Sequence, residues 1–170
     1  MQPATLVSVE EYLNTSYPDG DREYIDGEIQ ERNLGEINHS DPQTAIAVYL
    51  RAHYKRFWTG VEVRVQIASD RFRVPDVTFV NGRKPAGRII VTPPHVVVEI
   101  LSPEDRAGQI QEKIDDYLSF GIPFVCVVNP ETRRGYIHTA SGSHEAKDGI
   151  LRAANPDIEL PLAEMFAEEE

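Results

Sequence analysis

The chain has 170 residues, of which 41% are hydrophobic and 26% charged; that length predicts a single domain over 1–170, with an acidic tail at about 167–170 and about 70% of the unfolded surface buried. Its net charge of −11 excludes a generic polyanion binder, because phosphate contacts come from Lys, Arg and oriented amides. One cysteine, Cys126, excludes a disulfide framework or a CxxC site, no run approaches a membrane span, and MQPATLVSVEEYL lacks the basic and apolar regions of a signal peptide, so a soluble cytoplasmic protein with no membrane partner is expected.

Ser8, Glu10 and Glu11 fit a capping box that opens a short helix through Leu13, and YPDGD at 17–21 breaks it. In REYIDGEIQE, Asp26-Gly27 between two short polar-apolar stretches predicts a two-residue hairpin. From Ser40 or Asp41, with Pro42 in the first turn, apolar residues at helical spacing run to about Trp58, where Thr59-Gly60 is expected to end the helix.

VEVRVQIAS at 61–69 alternates, and FRVPDVTFV at 72–80 follows a turn, so the two are expected to pair. After the loop NGRKPAGR comes HVVVEILSP, a β-branched run that reads as a strand covered on both faces. RAGQIQEKIDDYLSFG carries Ile110, Ile114, Tyr117 and Leu118 on one helical stripe, closed by Gly121. IPFVCVVNP is a second buried strand, and RRGYIHTA, HEAK and ILRA suggest short antiparallel strands. Cys126 lies in that apolar run and reads as an inert core thiol. Strands in a group, then strand-helix-strand, predict an α/β fold with a mixed sheet flanked by helices and a small antiparallel extension.

The acidity is terminal. Residues 1–36 carry a net −7 and residues 157–170 a net −6, whereas residues 51–88 hold nine bases against three acids. That local excess, which includes Arg71, Arg73 and Arg83, suits a phosphate-binding face or an ordinary mixed surface.

Glu99 is the anomaly. A carboxylate inside a buried strand must be paired, protonated or metal-bound, since leaving it bare is prohibitive in a small domain. Alternation puts Asp76 and Thr78 on one face of their strand and Glu99 with Val97 and Leu101 on one face of the next. Pro75 lacks an N–H and suits a strand start, edge or bulge. Two carboxylates on neighbouring strands, pointing to one side, form a hard anionic pocket for Mg2+ or Mn2+. Lys113 lies at the border of the helical stripe, so its stem can follow the packed face while its ammonium reaches Glu99. Taken singly, Asp76 reads more readily as a strand-end or turn residue and Lys113 as a solvated helix residue, while Glu99 reads equally as a structurally paired acid. Together they are the residue types that metal-dependent phosphodiester hydrolysis needs.

VPDVTFV, VVVEILSP, EKIDDYLSFGIP and VVNPETRR resemble the Uma-type restriction-endonuclease-like family of the PD-(D/E)XK nuclease superfamily, and the likeness extends from EYIDGEI at 23–29 to LPLAEMF at 160–166. The resemblance implies a restriction-endonuclease-like core, DNA as substrate, Mg2+ (or Mn2+) held by Asp76 and Glu99, and Lys113 as the catalytic lysine. The superfamily pattern places lysine two residues after the glutamate, where this chain has Leu101; the sequence fits the variant with the lysine moved to the following helix. Glu23 matches a family glutamate that completes the metal site, and His39 matches a family histidine with an accessory role. Each has a plainer reading, Glu23 as a surface acid and His39 as a loop or helix-start residue. The alternative function is an inactive nuclease-fold module that acts as a homodimer or through a protein partner.

Overall fold

The computed structural model describes residues 5–18, 22–33 and 35–166. The acidic tail and part of the YPDGD break lie outside the described residues. In chain order the elements are α1 (Val9–Asn14), β1 (Glu23–Ile25), β2 (Glu28–Gln30), α2 (Ile37–His53), β3 (Trp58–Val61), β4 (Val65–Ala68), β5 (Arg71–Arg73) and β6 (Val77–Val80). They continue with β7 (Val96–Ile100), α3 (Ala107–Phe120), β8 (Phe124–Asn129), β9 (Arg134–Thr139), β10 (Gly142–Glu145), β11 (Ile150–Ala153), β12 (Ile158–Pro161) and α4 (Leu162–Met165). Among the described residues no helix is long and apolar enough to cross a membrane.

A six-stranded mixed sheet in the order β10-β9-β8-β7-β6-β3 forms the centre. Only β7 and β8 run parallel in it, joined by α3 as a crossover; the remaining pairs are antiparallel. Helix α2 covers one face, where Ile46 and Leu50 meet Val77, Phe79, Val96 and Val98. Helix α3 covers the other, where Ile114 and Tyr117 pack on Val97, Val125 and Val127. Both faces of β7 are therefore buried, which is why its sequence reads as a continuous apolar run. A smaller sheet, β2-β1-β5-β4, and the β11-β12 hairpin form the antiparallel extension.

The local signals hold where the chemistry is local. Ser8 Oγ accepts the Glu11 amide at 3.1 Å, Asp26 and Gly27 both take the positive φ (52° and 95°) of a tight hairpin turn, and Gly121 ends α3 at φ 101°. Cys126 is buried and free, and burial pushes its thiol up to about 12, as an inert core group requires.

Two expectations are corrected. Helix α2 begins at Ile37 and stops at His53, so Trp58-Thr59-Gly60 is not a helix end but an edge strand paired with β6. The sheet claims this segment through side-chain contacts: Phe57 stacks on Phe79 at 4.6 Å, and the Trp58 ring lies so close over Gly60 that a Cβ there would fall 2.2 Å from it. The runs 61–69 and 72–80 do pair, through β4 with β5 and through Val61 with Val77, but 72–80 is not the single strand expected. The second run breaks at Val74-Pro75-Asp76: β5 pairs with β4 and β1 in the small sheet, while β6 pairs with β3 and β7 in the central one. Pro75 offers no N–H to a ladder, and Asp76 sits where the chain changes sheets.

Candidate active site

Four elements converge at that switch. The β5-β6 passage delivers Asp76, β7 delivers Glu99, β1 delivers Glu23, and α3 delivers Lys113 and Tyr117, which are one helical turn apart. All but Tyr117 line a cavity of about 390 Å³, together with His39 from the first turn of α2 and Arg32 from the segment after β2. The structure thus brings together the five candidate site residues named from the sequence, Glu23, His39, Asp76, Glu99 and Lys113.

Glu99 is paired on both sides. The Tyr117 hydroxyl donates to Oε1, and the Lys113 ammonium lies 3.5 Å from Oε2. Burial nevertheless raises its carboxyl to about 7; Lys113 opposes the rise, and the neighbouring Asp76 and Glu23 carboxylates add to it. Lys113 responds in the opposite sense. Burial pulls its pKa down, but Glu99, Glu23 and Asp76 outweigh burial and raise it, so the side chain is an ammonium.

Asp76 is held by three groups. Oδ2 accepts the backbone N–H of Ile100 at 2.7 Å and lies 3.3 Å from His39 Nε2, while Oδ1 accepts from Arg32 Nη2 at 2.8 Å. Burial alone would raise its pKa; the His39 hydrogen bond, His39 and Arg32 charges and the Ile100 amide together lower it. His39 is raised in turn, chiefly by its bond to Asp76.

Glu23 is a buried acid rather than a surface one. Its Oε2 accepts from Arg73 Nη1 at 2.9 Å, and its Oε1 accepts the Val74 amide at 3.1 Å and faces Lys113 at 3.3 Å. Burial works against it, yet Lys113, Arg73 and Val74 lower its pKa. Behind it, Arg73 Nε donates to Asp116 Oδ2 at 2.7 Å, and Arg71 donates to Asp116 and Glu112. Arg71 and Arg73, which the charge count placed with the basic residues of 51–88, are paired with these acids and fasten the small sheet to α3.

Sequence reasoning missed Arg32, Tyr117 and Asp116 as members of the site. Tyr117 had a signal, a hydroxyl on the apolar stripe one turn beyond Lys113. Arg32 had none, because ERNLG after the hairpin looks like any polar loop.

Among the described residues no group of three or more His, Cys, Asp and Glu side chains forms a ready metal cage. Asp76 and Glu99 supply carboxylate oxygen in one cavity, the donor type for a hard dication that retains several waters and takes only one or two carboxylates from the protein. The donor set fits Mg2+ on those terms.

The Uma2 family model, described as "Putative restriction endonuclease", matches residues 9–165. The chain belongs to the Uma2 family. No match was found among curated proteins. This Uma2 chain is similar in structure to a protein from Anabaena variabilis ATCC 29413, described as a "putative nuclease belonging to DUF820", with a TM-score of 0.79 and 18% sequence identity over 95% of this chain and 98% of that one. The likeness shows that this Uma2 member shares its mixed α/β fold with that protein.

Proposed function

We propose that this chain hydrolyses phosphodiester bonds in DNA with a divalent cation, Mg2+ or Mn2+, held by Asp76 and Glu99. The observation that carries the reading is the convergence of these two acids and Lys113, from three separate elements, into one cavity. When bound, the cation would polarise a phosphoryl oxygen and make an attacking water more acidic.

The chain's own groups do the rest. Tyr117 occupies Oε1 of Glu99 and leaves Oε2 toward Lys113. Lys113, as a fixed ammonium, orients the water and offers positive charge to phosphate oxygens as their charge grows. Its raised pKa favours this donor role over proton abstraction. Glu23 places Lys113 through the 3.3 Å contact; a ligand role for Glu23 would require Arg73 or Lys113 to give way. His39 steadies Asp76 from the other side.

A non-catalytic binding module is favoured by one observation: both oxygens of Asp76 already have partners from the chain itself. Incubating the protein with single-stranded, duplex and branched DNA, with and without Mg2+ or Mn2+, separates the readings. Cation-dependent cleavage that disappears in Glu99→Gln is expected. No cleavage of any substrate with either cation would favour the binding module.

A further inference from the structure

One residue in the cavity has no part in that chemistry as it stands. Arg32 places Nη2 2.8 Å from Asp76 Oδ1, on the carboxylate proposed to hold the cation. A guanidinium and a dication seek the same oxygen, and two positive groups cannot share it at contact distance without repulsion. Arginine does not escape by losing its proton, because it stays charged throughout the accessible pH range. If a cation is to reach Asp76, the Arg32 side chain must move.

The structure already contains a place for it to go. Arg32 Nη1 lies 3.5 Å from Glu62 Oε1, so one guanidinium spans two carboxylates. Asp76 is 3% exposed and Glu62 46%: one acid is deep, the other at the mouth. Glu62 is also held in position by features unusual for a surface glutamate. It adopts φ 52°, the left-handed region that side chains other than glycine rarely occupy. Its N–H donates to the Asp76 carbonyl at 3.2 Å, and Gln43 Nε2 bridges its Oε1 (3.4 Å) and the same carbonyl (3.1 Å). Strained backbone that the surroundings hold in place is a reason to look for function.

We propose that Arg32 is a resident counter-cation of Asp76 that exchanges with the divalent cation, swinging outward onto Glu62 when the metal binds. This rests on the metal-dependent reading above and adds its control. Without metal, Arg32 compensates the buried acid and preserves the fold. With metal, it remains at the mouth of the cavity as a positive group facing incoming phosphate. Exchange makes metal affinity weaker than the two carboxylates alone would give, since the ion pair must be broken first.

The test is direct Mn2+ binding, followed by electron paramagnetic resonance of the free ion, on the full chain and three variants. Arg32→Gln should bind Mn2+ at least tenfold more tightly than wild type. Glu62→Gln should bind it several-fold more weakly, having lost the acceptor for the displaced guanidinium, and Asp76→Asn should lose binding. Equal affinity in wild type and Arg32→Gln, with Asp76→Asn still defective, overturns the exchange and leaves the metal site standing. Mn2+ binding that survives Asp76→Asn, or is absent from wild type and Arg32→Gln alike, overturns both. Should Arg32→Gln be too unstable without metal, its unfolding is read with and without Mn2+. A larger Mn2+-dependent rise in melting temperature than in wild type supports exchange, and an equal or smaller rise refutes it.

Discussion

Asp76 accepts the backbone N–H of Ile100 at 2.7 Å, and this single bond ties the acid at the sheet switch to the residue directly after Glu99. The β6-β7 register, with Val77 opposite Val98, carries the end of β7 past the start of β6, so the amide of Ile100 reaches the side chain rather than a ladder partner. One hydrogen bond thus links the two acids' positions directly, beside the partners each has of its own.

Replacing Asp76 therefore separates fold from chemistry. Asp76→Ala leaves the Ile100 amide without its acceptor and Arg32 with Glu62 alone, and should destabilise the protein by about 3–5 kcal/mol, as for other broken buried pairs. Asp76→Asn keeps an acceptor for Ile100 and should cost less. In wild type, a free Mg2+ concentration of about 100 times Kd should add about 2.7 kcal/mol, several degrees in melting temperature. The Asp76→Asn, Glu99→Gln double variant should show no such rise in calorimetry; a rise equal to that of wild type would remove these acids as ligands.

Lys113→Met keeps the packed stem and removes the ammonium. DNA cleavage should fall by about 100-fold or more while Mg2+ binding persists. Lys113→Arg should recover only part of the rate, since the wider guanidinium does not reproduce the compact ammonium between Glu23 and Glu99. Wild-type turnover by Lys113→Met would take the lysine out of the reaction.

Glu99 gives the metal-free protein a specific pH signature. Its carboxyl titrates at about 7 in the folded protein, against an ordinary value of 4.5. Between those values the folded state keeps a proton that the unfolded chain has lost, so this residue's contribution to stability declines as pH rises from about 4.5 to about 7 and is level outside that window. Glu99→Gln lacks the titration. Its melting temperature relative to wild type should climb through the window, and a flat difference would show that Glu99 titrates normally. Tyr117→Phe removes the hydroxyl that favours the carboxylate, so it should raise the midpoint further and destabilise the fold by about 1–3 kcal/mol above that midpoint.

The basic residues of 51–88 should divide by burial. Arg73 is 2% exposed and bonded to Glu23 and Asp116, so Arg73→Met should cost about 3–5 kcal/mol in chemical denaturation. Arg83 is exposed; Arg83→Glu should leave stability within about 0.5 kcal/mol and weaken any DNA affinity in a salt-dependent way. Affinity that is indifferent to Arg83 and to salt would place the nucleic acid on another face.

What the amino-acid sequence determined by itself was what short-range physics can specify. The Ser8 cap, the Asp26-Gly27 turn and the Gly121 stop each depend on one residue's own backbone or its bond to a neighbour a few positions away. The stripe of α3 and the buried run of β7 follow from period alone. Glu99 stood out because a charge among β-branched residues is costly wherever they fold, and the pairing of its face with Val97 and Leu101 follows from the pleat. The tertiary structure decided the rest. Whether 72–80 is one strand or two depends on which sheets compete for its edges, and Pro75 only marks where the division is easiest. Trp58 leaves the helical pattern because β6 and Phe79 offer it a sheet. Arg32, Arg71 and Arg73 look alike in sequence to any surface arginine; their roles arise from Asp76 and Asp116, 43 to 45 residues away in the chain, and no local pattern encodes which carboxylate a long flexible cation will meet.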